Sequence, residues 1–196
     1  MQKEINQETR EHILEVASKE FFSKGYGAAS INTIVDAADV TKPTVYYHFK
    51  NKEGLFKVLV EESYERMFDI RRKAVNEKLS IEKQIAQTIA SDFDFCLKQP
   101  ELVRFILAQT FDLPGETKND LTEIHYRDYE FFRDLIERGN ERGELNCKDT
   151  ISAALALQGI IDINIVSFLK MNHDTDFLSP KRAKKITKMF LNGINS

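Results

Sequence analysis

An all-α fold is what this sequence predicts, and three observations carry the prediction. Apolar residues recur at the i, i+3, i+4 spacing of helices along almost the whole chain. Alternating apolar–polar runs of the kind that build half-buried strands are scarce. Only eight glycines and four prolines punctuate the 196 residues. About nine helices result, with no internal repeat and no low-complexity segment.

The first helix spans roughly 7–24, with Ile13, Leu14, Ala17, Phe21 and Phe22 as its apolar stripe and Gly25 as its stop. Ser30 stands as N-cap to the run INTIVDAA, whose Ile31, Ile34 and Val35 face inward. Asp39 falls at a tight turn, and Thr41 caps the next short helix. Pro43 lies in that helix's first turn, where its missing N–H breaks no intrahelical bond. A fourth helix runs from near Lys52 to about Leu79, and amphipathic segments follow at 80–98 and 100–112. LPGE at 113–116 reads as a loop. Residues 118–142 form a long helix stopped near Gly143, 148–171 a very apolar one, and the last helix starts after Ser179–Pro180.

Composition narrows the function classes. The chain is 42% hydrophobic and 30% charged, which is ordinary globular composition. No uninterrupted run of about 18 apolar residues appears, so no membrane-spanning helix is expected, and the charged start MQKEINQETREHILEVA lacks the apolar core of a secretory signal. Cys96 and Cys147 lie far apart without metal-ligand spacing, which fits buried thiols in a reduced cytoplasmic protein. His12, His48, His125 and His173 form no metal-binding pair pattern, and no glycine-rich phosphate loop occurs. Neither an enzyme, a metal site nor a cofactor is therefore expected.

A net charge of −3 excludes a broadly basic nucleic-acid coat, but the distribution is uneven. Between Val40 and Lys52 stand Lys42, Lys50, Lys52 and His48, with no carboxylate. The helix-like residues 4–20 carry Glu4, Glu8, Glu11, Glu15 and Glu20. On a wheel of about 100° per residue, Val45 and Phe49 share the inner face of the Pro43 helix. Tyr46, Tyr47, Lys42, Thr44 and His48 project outward. Exposed aromatics among hydroxyls and cations suit a groove walled by phosphates and floored by base edges. The pattern INTIVDAA–DV–TKPTVYYHF has the spacing of a helix-turn-helix, its second helix placed to read a major groove.

REHILEVASKEFFSKGYGAASINTIVDAADVTKPTVYYHFKNKEGLF resembles the DNA-binding domain of TetR-family transcriptional regulators, and the helical remainder resembles the family in length and helix count. The resemblance implies an N-terminal three-helix domain at 1–51 and a helical effector-binding and dimerisation domain at 52–196. It implies that Lys42, Pro43 and Tyr46 face base edges, and that Ser30, Thr44, Tyr47, His48 and Lys52 bind backbone phosphates. Thr41 at the same helix start joins this set, while Asn32 and Thr33 reach bases or phosphate. Aspartate stands at position 39, and proline at 43, where the family commonly has glycine; both changes bear on the preferred operator.

The later helices are rich in aromatics at helical spacing, a pattern that ordinary core packing also explains. The resemblance implies a small hydrophobic effector, and Phe93, Cys96, Phe105, Gln109, His125, Tyr129, Phe132, Gln158 and Asp162 are the expected lining. The segment 148–171 is apolar on nearly every side and thinned by Ala153, Ala154, Ala156 and Gly159. With the final helix at 180–194 it is expected to form a homodimer reading a palindromic operator. Gln158, Asp162 and Asn164 interrupt that apolar helix, and pattern alone leaves interface, effector and solvent open for them. The expected regulator is a repressor released by its effector. The alternative is a DNA-binding regulator without a small ligand, constitutive or governed by a partner protein.

Overall fold

The computed structural model describes the backbone of residues 2–109, 117–171 and 173–194, and side chains within 6–108, 126–171 and 173–194. Among these residues the secondary structure is helical: α1 (Gln2–Ala28), α2 (Ile31–Ala37), α3 (Lys42–Phe49), α4 (Lys52–Ala74), α5 (Ile81–Lys98), α6 (Pro100–Gln109), α7 (Thr117–Glu141), α8 (Thr150–Lys170) and α9 (Pro180–Ile194), with a 3-10 turn at Thr175–Leu178. The all-α expectation holds. The expected loop at 113–116, and the side chains of Gln109 and His125, lie outside the described residues.

The first three helices close on one core of Ile13, Leu14, Ala17, Phe21, Ile34, Val45 and Phe49. α1 is broken where its stop was expected, because Gly25 takes φ 72° and ψ 168°. Such a backbone favours glycine. Glu20, buried on the same helix, accepts from the Ser30 backbone N–H at 3.1 Å and pairs with Lys24 at 2.9 Å. That carboxylate fixes where α2 begins.

α4 is a rod of about 34 Å at 1.5 Å per residue. Its first turns put Leu55 and Phe56 into the core of α1–α3, and its later turns enter the rest of the molecule. Phe56 meets Phe21 (5.2 Å) and Tyr26 (4.7 Å) on one side and Phe105 of α6 (5.5 Å) on the other. Phe105 in turn lies 4.7 Å from Phe22.

α4 ends at Ala74, five residues short of the expected Leu79. Asn76 Oδ1 accepts from the Lys78 N–H, and the Asn76 carbonyl from the Leu79 N–H, so a turn takes over before Ser80 begins α5. Leu79 kept the helical spacing, but Asn76 competes for its own backbone.

α5 lies against α9, and α7 against α8. By length and composition alone α8 is the one described helix apolar enough to cross a membrane. The expectation of none rested on the lack of an uninterrupted apolar run of about 18 residues, whereas mean hydropathy averages over Gln158, Asp162 and Asn164. In the fold, Ala153, Ala154, Leu157, Ile161 and Ile165 of α8 are buried.

Candidate DNA interface and ligand chamber

Two arrangements stand out, one at each end of α4. The first is the outer face of α3. Thr41 accepts from the Thr44 N–H at 3.4 Å and shares a 2.8 Å hydroxyl contact with the Thr44 side chain, so both expected phosphate binders also build the helix start. Asp39 adopts φ 50°, the left-handed turn for which aspartate is more tolerant than most residues. Val45 and Phe49 are buried; Lys42, Pro43, Tyr46 and Tyr47 are exposed, the tyrosines at 43% and 75%. Asn32 and Thr33 are exposed on α2. Ser30 caps α2, accepting from the Asn32 N–H at 3.2 Å.

His48 and Lys52 are less free than their positions suggested. His48 is half-buried, with its ring 5.2 Å from Tyr47 and 5.8 Å from Phe49. Burial, and then the Arg10 charge, hold its pKa below the usual histidine value, so it is largely neutral near pH 7. The Lys52 ammonium sits 4.6 Å over the Tyr26 ring.

Beyond α3 the chain turns sharply. Lys50 takes φ 66° and ψ −51°, and the Asn51 N–H donates to the Phe49 carbonyl at 2.8 Å, which together make a positive-φ γ-turn. Asn51 then caps α4 by accepting from the Gly54 N–H at 2.7 Å. A Cβ on Gly54 would stand 2.1 Å from the Phe49 carbonyl oxygen. The end of α3 thus rests directly on the first turn of α4.

The second arrangement is a small chamber of about 40 Å³ between α4, α5, α6, α7 and α8. At its heart Arg71 of α4 donates from Nε to both Asp92 oxygens (2.8 and 3.1 Å), from Nη2 to Asp92 Oδ2 (2.9 Å), and from Nη1 to Asp128. Gln158 donates to the other Asp128 oxygen at 2.6 Å. The guanidinium also lies 4.8 Å over the Phe132 ring. Burial works against the charge on Arg71, but Asp128 and Asp92 outweigh it and its pKa is raised. Burial raises the Asp92 pKa, and Arg71 counteracts that only in part.

Of the expected lining, Gln158 and Asp162 face this chamber. Phe93, Cys96 and Phe132 are instead packed in the core. Phe105 turns toward α1 and the base of α4, and Tyr129 lies 5.8 Å from the Arg133 guanidinium. Burial also lifts the Cys96 thiol to about 11, which leaves it inert. Asn164 has a structural role, accepting from Arg182 of α9 at 2.8 and 3.0 Å.

Sequence reasoning missed Arg71 and Asp92. Their signal was present: each falls on the apolar stripe of its helix, after Tyr64 and Phe68 on α4 and after Ile85 and Ile89 on α5. Opposite charges on two inward stripes predict a buried pair. No group of three or more His, Cys, Asp or Glu residues able to hold a metal ion occurs among the described residues.

A three-helix head with an exposed reading helix, set on a helical body, defines a helix-turn-helix transcriptional regulator. The family model for bacterial regulatory proteins of the tetR family matches residues 13–59. The chain is 29% identical over 159 residues to a probable HTH-type transcriptional regulator, ArpR, of Pseudomonas putida, covering 79% of this chain and 67% of that protein. It is 36% identical to the HTH-type regulator AcrR of Shigella flexneri over 87 residues, 42% of this chain and 40% of that one. The fold matches the regulator FadR of Bacillus subtilis, solved with stearoyl-CoA, at a TM-score of 0.82 and 20% identity, over 93% of this chain and 98% of that one. This protein belongs to the TetR family of DNA-binding transcriptional regulators.

Proposed function

We propose that the protein is a homodimeric repressor that reads a palindromic operator through α3 and releases it when a small hydrophobic effector enters the helical body. Residues 1–51 are the reader and 52–196 the effector-binding and dimerisation domain, acting in the cytoplasm. The observation that carries the reading is the outer face of α3, where two tyrosines and Lys42 stand exposed on a helix whose inner face is buried. Aromatic surface of that kind is costly in water and suited to a partner. Lys42, Pro43 and Tyr46 meet base edges, and Ser30, Thr41, Thr44, Tyr47, His48 and Lys52 approach phosphates, with Asn32 and Thr33 beside them.

One short helix reads few base pairs, so a two-fold dimer with half-sites about 34–36 Å apart supplies the specificity. Ile151, Leu155 and Ile163 stand exposed on one side of α8, and Met189 on α9. Gly159 lies on the same side with nothing within 4 Å of where its Cβ would be, which leaves room for a second helix. The coupling has a physical route: Val103, Ile106 and Leu107 of α6 line the chamber, while Phe105 of α6 packs on Phe22 and Phe56. A ligand that moves α6 disturbs the base of α4, on which α3 rests.

Selection of bound duplexes from a random library tests the DNA reading. The native protein is expected to enrich a palindrome, and Tyr46→Ala plus Tyr47→Ala to enrich none. Failure of the native protein to enrich any sequence at low salt, with or without hydrophobic compounds, would refute it.

A further inference from the structure

Arg71 stands near the end of α4, about 28 Å along the rod from Lys52 at 1.5 Å per residue. The near end of that rod is fixed to the reading head by Leu55 and Phe56 in its core and by the close approach of Gly54 to the Phe49 carbonyl. The far end is fixed by different means. One guanidinium reaches Asp92 on α5 and Asp128 on α7, and Gln158 of α8 holds the second Asp128 oxygen. Four helices therefore meet at one cation. Gln158 adjoins Gly159, on the helix assigned above to the second subunit. A chain of hydrogen bonds thus leads from the subunit face, through α8 and α7, to the rod that carries the head.

Stability does not explain the arrangement. Taking a cation and two carboxylates out of water costs about as much as their attraction returns, and apolar side chains of similar volume often serve as well or better. What such a group adds is direction. Arg71 grips Asp92 through Nε and Nη2 at 2.8 and 2.9 Å while Nη1 points to Asp128. A planar guanidinium meets two such carboxylates in one orientation. Tyr64 and Phe68, on the same buried stripe of α4, pack without that restriction. Packing alone does not confine Arg71 either, because its side chain borders the chamber of about 40 Å³. A second link from α4 to α7, Glu65 with Arg127, lies exposed, where solvent screens it.

Resting on the dimeric operator reading above, we infer that Arg71 is a positioning residue for operator recognition: its fork on Asp92 and its bond to Asp128 fix the angle of α4 against the subunit face, and so the separation of the two reading helices. Length amplifies the effect. Over the rod of about 28 Å between network and head, a tilt of about 4° carries the head by about 2 Å. Two such displacements, one in each subunit, span the rise of about 3.4 Å from one base pair to the next. The network therefore sets the half-site spacing that the dimer accepts, while the outer face of α3 sets the half-site sequence.

Two variants of the full chain test this. Arg71→Met with Asp92→Leu and Asp128→Leu replaces the charges together and is expected to melt no lower than the native protein. Arg71→Lys keeps a cation but lacks the fork. Both are selected on random duplexes beside the native protein. They are then titrated, by fluorescence anisotropy, on a single enriched half-site and on palindromes lengthened by one or two base pairs between half-sites. For one added base pair the native protein is expected to lose at least about tenfold in affinity, as for a mismatched base pair, and the variants less than about threefold. Half-site sequence and single half-site affinity should stay as in the native protein. A purely structural role would instead weaken single half-sites and palindromes alike. That result, a spacing preference kept by either folded variant, or melting of both variants below the assay temperature overturns the inference and leaves the operator reading standing. A native protein that enriches no palindrome overturns that reading, and the inference with it.

Discussion

Gly54, Arg71 and Asp162 show how single positions set the behaviour of this molecule. Replacing Gly54 with alanine drives a Cβ into the Phe49 carbonyl oxygen. The backbone must shift, so Gly54→Ala is expected to cost at least about 2 kcal/mol in denaturant unfolding and to weaken operator binding. Arg71→Ala leaves the buried Asp92 and Asp128 without their cation, for a loss of about 3–5 kcal/mol by the same measurement. Asp162 acts in the opposite sense. Its folded-state pKa, about 7, lies above that of an unfolded aspartate. Between about pH 4 and 7 the native state therefore holds a proton that the unfolded chain has lost, and this group's contribution to stability falls as pH rises. Melting profiles of Asp162→Asn should be flatter across that window, with the largest gain over the native protein above pH 7.

At the scale of elements, α3 was the most legible part of the sequence. Its cap, its proline and its buried pair Val45 and Phe49 all agreed on one short helix with one outer face. The double substitution of Tyr46 and Tyr47 should thus change folding stability by no more than about 0.5 kcal/mol while removing operator recognition, because both rings project into solvent. His48 gives a second handle. Its pKa is depressed in the free protein, and a nearby phosphate would draw a proton onto it. Operator affinity should rise as pH falls from 8 to 6, and fluorescence anisotropy should show a smaller rise for His48→Gln.

The candidate chamber was less legible, for a physical reason. Aromatics at helical spacing mark a core and a pocket wall equally, and Phe93, Phe105 and Phe132 went to the core. What distinguishes a chamber is polar groups meeting across helices distant in sequence, as Arg71 meets Asp92 and Asp128. Periodicity within one helix places such a residue on the inner face without naming its partner.

For the whole molecule, the exposed apolar side of α8 is the feature a single chain leaves unresolved. Leu155→Arg plus Ile163→Arg is expected to leave helical content intact and shift sedimentation to that of a monomer. Operator binding should fall with it, because half-sites are then read one at a time. Survival of the dimer in that variant would move the interface elsewhere.

The ring cluster around Phe56 also bears on how such regulators can be recombined. Phe21 and Tyr26 from α1, Phe56 from α4 and Phe105 from α6 touch in one aromatic group, so the reading head has no finished core of its own at residue 51. The stretch matched by the family model reaches residue 59, past Phe56. A chimera that grafts this head onto another regulator's body will fold well only if the crossover falls after those first turns of α4 and the recipient offers a ring where Phe105 stands. On the proposed reading, specificity for an operator and responsiveness to a compound are inherited through a shared joint, and exchanging one without matching that joint trades away the other.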